Sequence, residues 1–129
     1  MKLYEISKEY ADFQYPQSII KAVELNLVDF EFWYFMDEEK VESRINGLKK
    51  RYPGRKLIPF ARRDDCDDIA CFEVGKGEAV QIIHDFASEG YEQREEYKNF
   101  WDWMKTAIDE LISSEENMYD SEIKGYRNV

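Results

Sequence analysis

Leu57 to Phe86, LIPFARRDDCDDIACFEVGKGEAVQIIHDF, is the stretch whose reading decides the fold. Leu57-Ile58-Pro59-Phe60-Ala61 is an apolar run with one proline, which suits the start or edge of a strand because proline cannot donate to a ladder. Ile69 to Val74 is short, carries only Glu73 as a charge, and is built from β-branched, aromatic and small residues. Ala79 to His84 is a third run of the same kind. Between the last two lies Gly75-Lys76-Gly77-Glu78, a hairpin loop on turn chemistry. The stretch therefore predicts an antiparallel meander of three strands.

Helices are expected on either side. Ile19, Ile20, Val23 and Leu27 form one apolar stripe, predicting a short helix over 18–26 with Ser18 as its N-cap. Phe30 to Met36 holds six apolar residues in seven and reads as a covered strand or a plug in the core. Asp37-Glu38-Glu39 opens a helix over 38–52, with Val41, Ile45 and Leu48 on its buried face. Lys49, Lys50 and Arg51 end it, as the helix dipole favours, before Pro53-Gly54. Residues 87–94 read as a connecting loop and 95–112 as a final helix with Phe100, Trp103, Met104, Ala107 and Ile108 on one face. The polar stretch 113–129 is expected to fray. The fold class predicted is α+β, a single domain over 1–129 with a curved antiparallel sheet and flanking helices.

Composition limits the function. The 129 residues are enough for one core, and 16% aromatic content argues against disorder despite 36% charged residues. No uncharged run approaches a membrane span, and residues 1–16 lack the apolar segment of a signal peptide, so the expected location is cytoplasmic with no membrane partner. The net charge is −10, which repels nucleic acid and attracts basic partners. Residues 40–63 are the exception, with nine basic residues against one acid. Of these, Lys49, Lys50, Arg51, Arg55, Lys56, Arg62 and Arg63 form a candidate nucleic-acid patch. Acid flanks them on both sides, which favours neutralisation over nucleic-acid binding.

Asp64-Asp65-Cys66-Asp67-Asp68 places four carboxylates in five residues. An EF-hand is excluded, because neither Asp64 nor Asp65 begins a run with Gly at the sixth and Glu at the twelfth position. A looser divalent-cation site and a solvated turn with capping Asp side chains remain the two readings, the turn being favoured. His84 is the single histidine; alternation puts it on the face of Val80 and Ile82. With Cys66 and Cys71 it lacks the spacing of a zinc site, so no metal and no cofactor are expected, nor a disulfide. There is no nucleophile elbow and no phosphate-cradling loop opening onto a helix. These residues favour a protein that is not an enzyme.

Leu57 to Arg62, Asp67-Asp68-Ile69-Ala70-Cys71-Phe72, Val80 to Phe86 and Phe100-Trp101-Asp102-Trp103 together resemble the SUKH superfamily, and within it the Smi–Knr type. Tyr15-Pro16, the aromatic segment at Trp33 and Arg51-Tyr52-Pro53-Gly54 agree, so the resemblance spans residues 15–112. The chain departs from it at Arg62 to Cys66, where other branches are glycine-rich. The resemblance implies a strongly curved antiparallel sheet and an immunity protein that neutralises a cognate toxin, often a nuclease domain, by direct binding. It carries no catalytic residue. Charge then points to the partner-binding residues: Asp64, Asp65, Asp67 and Asp68, with Glu89, Glu92, Glu95 and Glu96, presented by a monomer or weak dimer to a basic cleft. A regulatory or scaffolding module binding another protein or a small ligand is the alternative.

Overall fold

In the computed structural model, residues 1–127 are described, with side chains described through Glu116. Five strands form one antiparallel sheet in sequential order: β1 (Trp33–Phe35), β2 (Leu57–Arg63), β3 (Asp68–Glu73), β4 (Val80–His84) and β5 (Gln93–Tyr97). Three α-helices accompany it: α1 (Gln17–Glu24), α2 (Glu38–Arg51) and α3 (Phe100–Arg127). The protein is an α+β single domain with a curved, open sheet, and β2, β3 and β4 are the meander read in the sequence.

Alternation divides the sheet into two covered faces. Ile58, Phe60, Ala70, Phe72, Val80 and Ile82 join the larger core with α1, α3 and the amino-terminal segment. Leu57, Ile69, Cys71 and Ile83 point the other way and meet Leu48 of α2 and Tyr52, the residue that caps it. Burial on both faces explains why the central strands read as near-continuous apolar runs. The larger core is aromatic: the Phe60 ring stacks on Phe72 at 4.9 Å and meets Trp103 edge-on at 5.0 Å. The amino-terminal segment, irregular but for a 3-10 turn at Ile6–Lys8, buries Tyr4, Ile6 and Phe13 in that core.

Pro59 sits within a central strand. It is tolerated because β1 pairs with β2 only from Ala61 onward, and the β2–β3 register shifts between Pro59 and Ala61. That bulge puts Phe60 and Ala61 in the same core and leaves Arg62 and Arg63 on opposite faces.

Four expectations are corrected. Residues 93–97 are a strand, not the end of a loop and the start of a helix. β4 would otherwise present an open edge, and Gln93-Arg94-Glu95-Glu96-Tyr97 closes it with a charged edge that resists further pairing. The last helix begins at Phe100, where the Asn99 side chain accepts from the Asp102 amide at 2.9 Å. It continues through Arg127, past the end expected at residue 112; residues 128–129 lie outside the described residues. Finally, α1 has Pro16 at its N-cap position and no side-chain cap, so Ser18 lies inside the helix.

A polar groove and its acidic rim

A concavity of about 610 Å³ opens where the larger-core face of the sheet runs beyond its apolar cover. Cross-strand pairing of Asp68 with His84 brings their side chains together on this face. His84 Nδ1 lies 2.9 Å from Asp68 Oδ1, and Arg94 Nε donates to the same oxygen at 2.8 Å. From β2, Arg63 donates to both Asp65 oxygens (2.7 and 3.0 Å) and to Glu110 of α3 at 2.6 Å. Its guanidinium also lies over the rings of Phe32 and Trp33 at about 5.5 Å. Hydrogen bonds from Arg63 hold the Asp65 carboxyl below its ordinary range, and Asp65 and Glu110 hold the guanidinium above its own. Tyr97 donates to Glu95 at 2.6 Å; burial, then that bond, pushes its hydroxyl to about 12. Tyr91 stands at the lip with 81% of its surface exposed.

The eight carboxylates singled out in the sequence do not form one patch. Asp64, Asp65 and Asp67 are exposed on the β2–β3 loop, between the groove-lining Arg63 and Asp68. Asp65 is tied to Arg63; Asp64 and Asp67 have no ion-pair partner among the described residues. Asp68 is mostly buried against His84 and Arg94. Glu95 lines the groove because it pairs with Ile82, whereas Glu96 pairs with Gln81 and accepts from its side chain on the opposite face. Glu89 is exposed in the β4–β5 loop.

Glu92 is buried rather than displayed. Its carboxylate accepts from Arg55 at 3.0 Å and from the Gly90 amide at 2.7 Å. Burial works against its ionisation, yet backbone amides and Arg55 outweigh it and leave the group below its ordinary value. Arg55 also forks onto Glu73, so Glu92 belongs to a network that pins the β4–β5 loop to the start of β2.

The basic block is dispersed in the same way. Arg51 goes to Asp85, Arg55 to Glu73 and Glu92, Arg63 to Asp65 and Glu110, and Lys49 to Glu9. Neither Cys66, which is exposed, nor Cys71, which is buried, is in a disulfide. Burial raises the Cys71 thiol well above its ordinary value. Among the described residues no three His, Cys, Asp or Glu side chains are grouped to hold a metal ion, and no helix is long and apolar enough to cross a membrane.

Sequence reasoning missed Asp85, whose fully buried carboxylate accepts from Arg51 Nε (2.7 Å) and Nη2 (2.8 Å), Arg44 Nη1 (2.8 Å) and the Phe86 amide (2.8 Å). Its one signal was Arg44, seven residues before Arg51 and so on the same face of α2. Compared with known family models, curated proteins and solved structures, the chain matches none.

Proposed function

We propose that this chain is a non-catalytic binding protein of the immunity type, which neutralises a toxin domain by covering a basic surface on it. The observation that carries this reading is the groove's rim. There the protruding Tyr91 ring stands over a floor whose polar groups are already bonded to one another, while the β2–β3 loop between the groove-lining Arg63 and Asp68 exposes Asp64 and Asp67, neither with an ion-pair partner among the described residues. An exposed aromatic beside exposed acids is the composition of an anchor with a steering rim. The groove's lining holds no Ser, Thr or Cys for His84 to activate, which favours binding over nucleophilic catalysis. The likeness to the Smi–Knr type supports the immunity role, as does the net charge of −10, which suits a partner that itself holds a polyanion.

The test is co-expression with any toxin domain found encoded beside its gene, scored by growth, and association rates measured with the purified pair at several salt concentrations. Asp64→Asn with Asp67→Asn should slow association and flatten its salt dependence, and Tyr91→Ala should speed dissociation. Equal rates and salt slopes for folded variants and the wild type would rule this surface out. Unimpeded killing in the presence of the wild type would overturn the immunity role.

A further inference from the structure

A second concavity, about 350 Å³, lies on the opposite face of the sheet and has the opposite charge. Lys40, Ser43, Arg44, Gly47 and Arg51 line it from one face of α2. Arg62 comes from β2, Met36 from the turn after β1, and Phe86 from the turn after β4. Four cations meet here, and the one carboxylate bonded among them is Asp85, shared by Arg44 and Arg51. That leaves an excess of three positive charges in a chain of net charge −10. Among the described residues Lys40 makes no ion pair, and Arg62 has only the Arg63 carbonyl at 3.4 Å and the Tyr34 ring. The notch is built rather than incidental. A Cβ on Gly47 would stand 2.6 Å from Arg51 Nη2, so glycine there lets Arg51 fold back onto Asp85. Phe86 is held at φ +70° with 59% of its surface exposed, the Arg51 guanidinium 4.2 Å from its ring. An exposed aromatic in a left-handed backbone conformation is a conformation retained at a cost, as at ligand sites.

We infer that this notch binds a phosphate monoester carried by a small molecule, with the phosphate on Lys40, Arg44 and Arg62 and the esterified group against Phe86. Charge sets the class. A phosphate monoester brings about −1.5 to −2 at neutral pH and three acceptor oxygens, which answers the excess better than one carboxylate does. Guanidinium groups match those oxygens with paired donors. A nucleic-acid strand is disfavoured by the chain's net charge of −10. The notch lies across the sheet from the groove, so its test is independent of the immunity reading.

Calorimetry and NMR titration at low salt with phenyl phosphate, inorganic phosphate, benzoate and a short single-stranded oligonucleotide would decide it. Phenyl phosphate should bind saturably, shifting the amides of Arg44, Gly47 and Phe86, with benzoate about tenfold weaker or worse. Lys40→Gln and Arg62→Gln should each weaken it by about fivefold or more at an unchanged unfolding midpoint, since neither residue holds Asp85. Phe86→Gly should keep inorganic phosphate binding while removing the advantage of the phenyl ester. Absence of saturation, affinity unmoved by the Lys40 and Arg62 variants, benzoate equal to phenyl phosphate, or tighter binding of the oligonucleotide would each overturn the assignment.

Discussion

Asp85 and Phe86 show how adjacent residues can carry opposite costs. The Asp85 carboxylate has no exposed surface and is satisfied by four N–H donors, two of them one guanidinium fork. Removing one partner of such a pair leaves the other charges without compensation, at roughly 3–5 kcal/mol when all are buried. Arg44 and Arg51 keep some contact with water, so Asp85→Ala should cost less, about 2–4 kcal/mol by urea unfolding. Phe86 pays for its left-handed backbone, roughly 1–2 kcal/mol, and regains about 0.5–1 from the guanidinium over its ring. Phe86→Ala should therefore lose the ring contact and keep the strain, whereas Phe86→Gly loses both. The expected outcome is a glycine variant more stable than the alanine variant, the reverse of the usual order, checked by their urea midpoints.

Among the elements, α3 is bound to the sheet through Trp103, whose ring meets Phe30, Trp33, Phe35, Phe60 and Phe100. Trp103→Ala should cost about 3–5 kcal/mol in thermal or urea unfolding. Its Nε1 is buried without a hydrogen-bond partner among the described residues, so Trp103→Phe removes an unsatisfied donor along with some volume and should cost well under half as much. The helix start is a separate device: Asn99→Ala removes the cap on the Asp102 amide, and a loss of about 0.5–2 kcal/mol is expected from the same measurement. Equal stability of Asn99→Ala and wild type would show that packing of Phe100 and Trp103 alone sets where α3 begins.

For the whole molecule, stability should depend on pH through carboxylates held low by cations. Lys49 lowers Glu9, Arg63 lowers Asp65, and backbone amides with Arg55 lower Glu92 against its burial. A folded-state value below the unfolded one adds stability that is complete above the ordinary values of 4.5 and 3.8. That stability is lost as pH falls through the lowered ones. The unfolding midpoint should hold from neutral pH to about 5 and fall below it, and Arg55→Gln should flatten the part due to Glu92. At the alkaline end the sign reverses: the raised Cys71 thiol favours the folded state less as pH rises past its ordinary 9.0, so Cys71→Ala should weaken that decline.

Alternation and turn chemistry within Leu57 to Phe86 made the meander and its two faces legible, and the acid-to-base run from Glu38 to Arg51 made α2 legible, because these are local properties of a chain. The start of the last helix was not read: it was expected from residue 95, and the structure begins it at Phe100 behind the Asn99 cap. What β5 became was decided by the open edge of β4, and a strand of Gln, Arg and Glu has no apolar alternation to announce it. The candidate sites divide on the same line. Four adjacent aspartates and a block of seven cations are visible in one dimension. Which of them are free is a matter of pairing across 18 to 47 residues, as in Arg55 with Glu73 and Arg63 with Glu110. A salt bridge depends on distance through space, and only the folded sheet decides that Glu92 is buried, that Asp64 and Asp67 have no ion-pair partner among the described residues, and that Lys40 and Arg62 share a notch with Phe86.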